Sequence, residues 1–365
     1  MENLLLYLLI AVSLINILYY LLFANFSFTK DPSPKSEKYY PLSLLVCAKN
    51  EAQNLKEHIP LWLAQTHPKF ELILVDDDST DNTREVIEQF AKEDSRIVPV
   101  YVSANDRFVS GKKYALTLGI KKARHTRMIF TDADCKPASV HWLAIMSTHF
   151  NQQKAIVLGF GAYSKKISLL NSIIRFETFM TALQYFSYAK LGKAYMGVGR
   201  NLGYTRHLYE EQNGFSAHMH VASGDDDLFV NAAATPQNVS LCTESKAFTY
   251  SKAKTSFASW FIQKRRHIST ATFYKPSHKL LLGLYYVANF AFWALAIAGL
   301  IVSLKEAAII IGVRVAVQLS VYLGAAKKLK QLDLVLLAPL LELFLICLQL
   351  PIFIANLVSS KPRWN

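Results

Sequence analysis

Residues 4–23 form an uncharged apolar run of twenty, and three further apolar runs occupy 280–304, 307–326 and 334–358. At 1.5 Å per residue each is long enough to cross the roughly 30 Å hydrocarbon core of a bilayer. No Lys or Arg precedes the first run and no small-residue cleavage site follows it, so it reads as a retained anchor, not a signal peptide. The third run is the weakest, because it carries Arg314, Gln318 and Ser320, and a buried or re-entrant helix is its alternative.

The stretch between the anchor and these runs has a different rhythm. Short apolar segments at 42–51, 70–83, 96–103 and 127–135 predict strands. Between them 51–63, 82–94 and 112–123 predict helices, the second capped by Thr80 or Asp81. Strands alternating with helices of this size predict an α/β domain with a mostly parallel, Rossmann-like sheet. The expected division is an anchor at 1–24, a polar, Pro-containing linker at 25–40, the α/β domain at 41–279, about three transmembrane helices at 280–358 and a tail at 359–365.

Charge adds orientation. Lys327, Lys328 and Lys330 lie between the last two apolar runs, whereas Lys305 and Glu306 cancel between the preceding two. The positive-inside rule then places the Lys-rich loop and the 24–279 segment in the cytoplasm, with both termini outside. That segment holds 33 basic and 23 acidic residues, +10 of the whole chain's +13. A basic domain at a membrane suits anionic headgroups and an anionic small substrate. Nucleic acid is not expected, since no basic run interleaved with aromatics and no helix-turn-helix or zinc pattern occurs. Cys47, Cys135, Cys242 and Cys347 lack CxxC spacing and read as reduced thiols.

In an open parallel sheet, ligands bind at the carboxyl ends of the strands. Asn50, Asp76 to Asp78, and the pair Asp132 and Asp134 all fall there. Carboxylates so gathered repel one another unless a cation lies among them, and a divalent metal with a diphosphate supplies it. The bland reading of "VDDDSTDNT" is helix capping, which accounts for Ser79 to Asp81 but not for three successive carboxylates after "LILV".

"VCAKNE", "LVDDDSTDNT", "GKKYALTLGI", "FTDADC", "GDDDLF" and "QKRRH" follow one another in this order between residues 42 and 267. As an ordered set they resemble the family 2 glycosyltransferases of GT-A fold, in the membrane-integrated branch that includes cellulose, hyaluronan and ceramide-glucose synthases. The resemblance implies donor and nucleotide binding at Cys47, Ala48, Asn50, Glu51, Asp76, Asp77, Lys112, Lys113 and Asp132. It implies Mg²⁺ or Mn²⁺ held by Asp132 and Asp134. The general base falls in "GDDDLF": Asp226, with Asp225 beside it and Asp227 as the alternative register. Gln263, Arg266 and His267 match the segment that holds acceptor and diphosphate, with His267 standing where the family has an aromatic. Asn201, in "GVGRNLGYTR", is expected at the same cavity. Residues 167–191 are apolar and aromatic, either an interfacial helix or core.

The implied protein is an inverting, metal-dependent glycosyltransferase of a bacterial cell membrane. It would move a sugar from a nucleotide-diphosphate sugar to a lipid, lipid-linked or glycan acceptor at the cytoplasmic face. A processive polysaccharide synthase subunit and a non-catalytic nucleotide-sugar-binding protein are the alternatives. A nucleotidyltransferase would need a Gly-rich, basic loop at the first strand, which "VCAKNEAQN" is not.

Overall fold

The structure, a computed structural model, describes residues 2–30, 39–102 and 111–358; half of the expected linker and all of the expected tail lie outside them. In chain order the main elements are α1 (Glu2–Phe28), β1 (Leu42–Ala48), α2 (Ala52–Leu63), β2 (Phe70–Asp76), α3 (Thr83–Glu93), β3 (Ile97–Tyr101), α4 (Lys112–Lys122), β4 (Arg127–Asp132) and β5 (Lys136–Pro137). There follow α5 (Trp142–Thr148), β6 (Ile156–Leu158), β7 (Gly161–Tyr163), α6 (Leu169–Lys190), β8 (Leu202–Thr205), α7 (Arg206–Glu211), α8 (Asp227–Ala233), β9 (Val239–Leu241) and β10 (Thr249–Ser251). The chain continues through α9 (Phe257–Ile268), α10 (Pro276–Val302), α11 (Leu304–Leu329) and α12 (Ala338–Val358).

The main sheet runs β3-β2-β1-β4-β8-β6-β9, parallel from β3 to β4. β8 pairs antiparallel with both β4 and β6. β1 and β2 are buried along their whole length, as strands covered on both faces are. β4 ends on Asp132 and β2 on Asp76, so the acidic clusters do lie at the carboxyl edge of a parallel sheet. The capping expectation for α3 needs correction: its N-cap is Asn82, with no side-chain cap bond. Asp81 instead accepts from the Ala52 amide and from Thr83, tying the loop after β2 to the start of α2.

Among the described residues four helices, α1, α10, α11 and α12, are long and apolar enough to cross a membrane. The polar residues that weaken the third run have a structural role. Arg314 is fully buried and bonds Gln318 on its own helix, Asn16 of α1, Asn289 of α10 and Glu342 of α12. One guanidinium thus gathers all four helices. α6 is largely buried: it packs against α1, α11 and α12, and its Ile174, Phe176 and Met180 wall the cavity described next.

Candidate active site

A cavity of about 580 Å³ opens beneath the carboxyl edge of the sheet. Its head is formed by Asp132 and Asp134 after β4, by Lys112 at the start of α4, and by Asp225 to Asp227 before α8. Lys112 Nζ lies 2.8 Å from Asp132 Oδ1 and 2.8 Å from Asp225 Oδ2, so one ammonium joins two acidic segments that the sequence separates by some ninety residues. Burial disfavours this cation, but Asp132, Asp225 and Asp226 hold its pKa well above the ordinary lysine value. The ammonium in turn holds Asp132 below the usual carboxylate range against its desolvation.

The triple Asp divides its work. Asp226 accepts the Gly199 amide on Oδ2 at 2.7 Å and the Asp227 amide on Oδ1 at 2.8 Å. Burial, then Asp225 and Asp227, push its carboxyl up to about 7. Asp227 is committed elsewhere: Oδ2 accepts the Thr270 hydroxyl and, at 2.7 Å, the Tyr274 hydroxyl, while Oδ1 accepts the Leu228 amide. It anchors the connection between α9 and α10.

Asp134 is raised by burial and then by the charge of Asp132. Ligand atoms of Asp132, Asp134 and Cys135 lie within 4.8 Å of one another. Burial pushes the Cys135 thiol well up, so it stays protonated and donates to Asp134 Oδ1 at 3.4 Å. The two carboxylates are therefore the donor set, and they suit a hard divalent cation that keeps water and phosphate oxygens as its other ligands.

The expected residues divide between the cavity and its supports. Cys47, Glu51, Gln263, Arg266 and His267 line the cavity with the carboxylates. Desolvation, then Lys264 and Arg266, lower the pKa of the His267 imidazole, although the residue itself is exposed at the cavity mouth. Asp77 is buried just past β2, its two carboxylate oxygens without a hydrogen-bond partner among the described residues, and desolvation raises its pKa. Asn50 adopts a φ of 57° and accepts the Thr80 amide at 2.8 Å, stitching the β1 and β2 ends together; the Ala48 carbonyl accepts the Asp77 amide at 2.9 Å, and Asp76 the Ser79 amide at 3.2 Å.

Two expectations are corrected. Asn201 is fully buried away from the cavity: its Oδ1 accepts from Trp142 Nε1, and its Nδ2 donates to the carbonyls of Phe160 and Ala247. Its neighbour Arg200 faces the cavity instead, stacked 4.2 Å over the Tyr163 ring. Lys113 donates to the carbonyls of His218 and Val221, bracing the loop before the triple Asp, because α4 turns its second lysine away from Lys112. Sequence reading also missed Glu177, which accepts from Trp260 Nε1 and pairs with Lys264, and Thr270 and Tyr274. Only a charged residue inside the Gly-rich "GVGRNLG" could have pointed to Arg200.

Comparison with known proteins places this geometry. The profile described as Glycosyl transferase family 2 matches residues 43–212. TuaG of Bacillus subtilis, by name a teichuronic acid biosynthesis glycosyltransferase, is 34% identical over 95 residues, 26% of this chain and 36% of TuaG. The poly-beta-1,6-N-acetyl-D-glucosamine synthase of Staphylococcus epidermidis is 31% identical over 120 residues, 32% of this chain and 28% of the synthase. The chain thus matches about a third of the length of these relatives. In fold, it superposes on the mannosyltransferase PcManGT of Pyrobaculum calidifontis, solved with GDP-Man and Mn²⁺, with a TM-score of 0.60 and 18% identity over 94% of this chain and 99% of that one.

Proposed function

From the premise that residues 43–212 are a family 2 glycosyltransferase segment on a GT-A fold, we propose a membrane-held, metal-dependent, inverting glycosyltransferase that uses a nucleotide-diphosphate sugar. The observation that carries this reading is the Lys112 bridge, which brings the strand-end carboxylates and the triple Asp into one cavity head. Asp132 and Asp134 would hold Mg²⁺ or Mn²⁺, and that ion would neutralise charge developing on the departing diphosphate. PcManGT was solved with GDP-Man and Mn²⁺, which supports a donor and ion of these classes.

Each protein group has a separable task. Asp77, whose buried carboxylate has no hydrogen-bond partner among the described residues, is the strand-end group assigned to the donor's nucleoside. Arg266 and Arg200 face the diphosphate end of the cavity, where a planar guanidinium suits phosphate oxygens. Asp226 takes the acceptor hydroxyl proton as that oxygen bonds to the anomeric carbon. The carbon–oxygen bond to the diphosphate breaks in the same displacement, and the nucleoside diphosphate leaves. Lys112 holds Asp132 below the usual carboxylate range and pairs with Asp225 at 2.8 Å. The acceptor is a hydroxyl on a lipid, lipid-linked or glycan molecule at the cytoplasmic face, and the enzyme belongs in a bacterial cell membrane.

The deciding experiment is nucleoside diphosphate release by the purified protein in nanodiscs across UDP-, GDP- and dTDP-sugars, with Mn²⁺, with Mg²⁺ and with EDTA. Metal-dependent release from one donor is expected. Release from none, with membrane lipids supplied, would point to a non-catalytic binding protein.

A further inference from the structure

α12 meets every length and composition requirement for a membrane crossing, yet both its ends are tied to the catalytic domain. Just before it, Asp333 pairs with Arg175 of α6 at 2.8 Å and with Lys165 at 2.8 Å. Near its last turn, Arg265 of α9 donates to Asn356 Oδ1 and to the Ala355 carbonyl, each at 3.1 Å, and Asn356 Nδ2 donates back to the Arg265 carbonyl at 3.0 Å. α6 and α9 themselves touch through Glu177 with Trp260 and Lys264. A 21-residue helix is about 31 Å long, so an upright one would carry its second end across a core of about 30 Å. An end bonded to α9 is not on the far side.

The order of contacts with α10 says the same. Glu342, early in α12, accepts from Trp293, whereas Ile346 and Phe353 meet Tyr286, nearer the start of α10 where that helix leaves the domain. α12 therefore runs back toward the domain as it proceeds. Lys361 and Arg363 follow it in the sequence, a charge that the positive-inside rule puts on the cytoplasmic side.

Glu342, Leu345, Ile346, Gln349 and Phe353 share one helical face, and all five line the cavity that begins at the catalytic carboxylates. Away from the cavity Leu340, Phe344, Leu350, Ile354 and Leu357 are exposed and apolar, suited to acyl chains. On the α10 side the lining reaches Asn289, which with Glu342 bonds Arg314. Past that junction Leu9, Phe292, Ala296 and Ala307 pack α1, α10 and α11 together, so among the described residues the cavity does not continue as a channel between these helices.

We propose that α12 is the floor of the acceptor site and not a fourth crossing. It lies in the leaflet that adjoins the catalytic domain and seats a lipid whose hydroxyl reaches Asp225 and Asp226. This rests on the glycosyltransferase reading and narrows its acceptor. A neutral hydroxyl on a long apolar chain fits a cavity with carboxylates at its head and Leu345, Ile346 and Phe353 along its floor, and a growing polymer finds no exit through the bundle. In the transfer, the lipid oxygen bonds to the sugar's anomeric carbon, its proton passes to a carboxylate, and the nucleoside diphosphate departs.

Two measurements on the full chain test it. Membrane-impermeant maleimide labelling of Ser360→Cys in oriented vesicles is compared with Glu93→Cys in the catalytic domain and Lys305→Cys in the loop between α10 and α11. Labelling of position 360 together with 93 and opposite to 305 is expected; labelling together with 305 would overturn the placement of α12. For the ligand, transfer is followed in phosphatidylcholine nanodiscs holding dioleoylglycerol or a polyprenol, which separate acyl from isoprenoid acceptors, with soluble maltotriose as the third arm. A chloroform-extractable sugar product from one lipid is expected. Gln349→Trp, which fills the floor, should raise that lipid's KM at least tenfold, whereas Val287→Trp, on the exposed face of α10, should not change it. Nucleoside diphosphate release without transfer to either lipid, or transfer to maltotriose alone, would sink the lipid site while leaving the donor chemistry standing. No release at all would instead strike the glycosyltransferase reading.

Discussion

Asp226 and Gly199 meet across 27 residues of chain, the Gly199 amide donating to Asp226 Oδ2 at 2.7 Å. This contact, with Lys112 close by, holds a raised carboxyl at the head of the cavity, while the adjacent Asp227 is bound away to Thr270 and Tyr274. Neighbours in sequence thereby take different tasks. Asp226→Asn is expected to lower transfer by about 10²–10⁴-fold, the usual worth of a positioned general base, with donor affinity retained. Asp227→Asn should instead lower thermal stability, by about 1.5–3 kcal/mol for weakened charged hydrogen bonds. Equal donor affinity with full turnover in Asp226→Asn would reassign the base.

The same carboxyl sets a pH profile. A base must be ionised to accept a proton, and a carboxyl at about 7 is mostly protonated below that value. kcat/KM, which reports the free enzyme, should climb roughly tenfold per pH unit up to about pH 7 and then level off. A profile flat from pH 5 to 8 would show that another group takes the proton.

Metal removal should be as informative as mutation. EDTA is expected to reduce nucleoside diphosphate release to background and Mn²⁺ or Mg²⁺ to restore it. Asp134→Ala should not recover with added ion, whereas Cys135→Ser should, because the buried thiol only donates to Asp134. A metal-independent wild type would remove Asp132 and Asp134 from the role of ligands.

Asn201 and Arg200 invert what their order in the sequence implied. Asn201→Ala strands the Trp142 indole N–H and the Ala247 carbonyl, at a cost of about 1–3 kcal/mol for each group left unsatisfied, while the Phe160 carbonyl keeps the Thr249 amide. The donor KM should stay unchanged. Arg200→Met should do the reverse, raising the donor KM with little change in melting temperature. Thermal unfolding and donor titration of the two variants distinguish these outcomes.

Arg314→Met would leave Glu342 as an uncompensated charge among apolar helices, expected to cost about 3–5 kcal/mol. Adding Glu342→Leu should recover most of that loss. Unfolding of both variants in the same detergent checks the pair, and a single variant as stable as wild type would remove the network from the bundle's assembly.

What sequence alone determined here is local and periodic. Apolar strands, the carboxylates that close β2 and β4, helices of 11 to 12 residues between strands, and apolar runs of twenty or more residues each carry their signal within one segment, so β1, β2, β4 and the acidic ends of the last two were legible. The ordered motifs likewise pointed to the family and to Lys112, Asp132 and Asp134. Tertiary structure decided which equal-looking neighbours face the chemistry. Lys112 differs from Lys113 by a rotation of about 100° along α4, whereas Arg200 and Asn201 lie in the turn before β8 and Asp226 and Asp227 at the start of α8, and distant partners such as Tyr274, His218 and Trp142 select between them. Apolar length has the same limit. Twenty-one apolar residues state that a helix avoids water, but hydrophobic transfer carries no direction, so only bonds at its ends, Asp333 to Arg175 and Asn356 to Arg265, bear on how α12 lies.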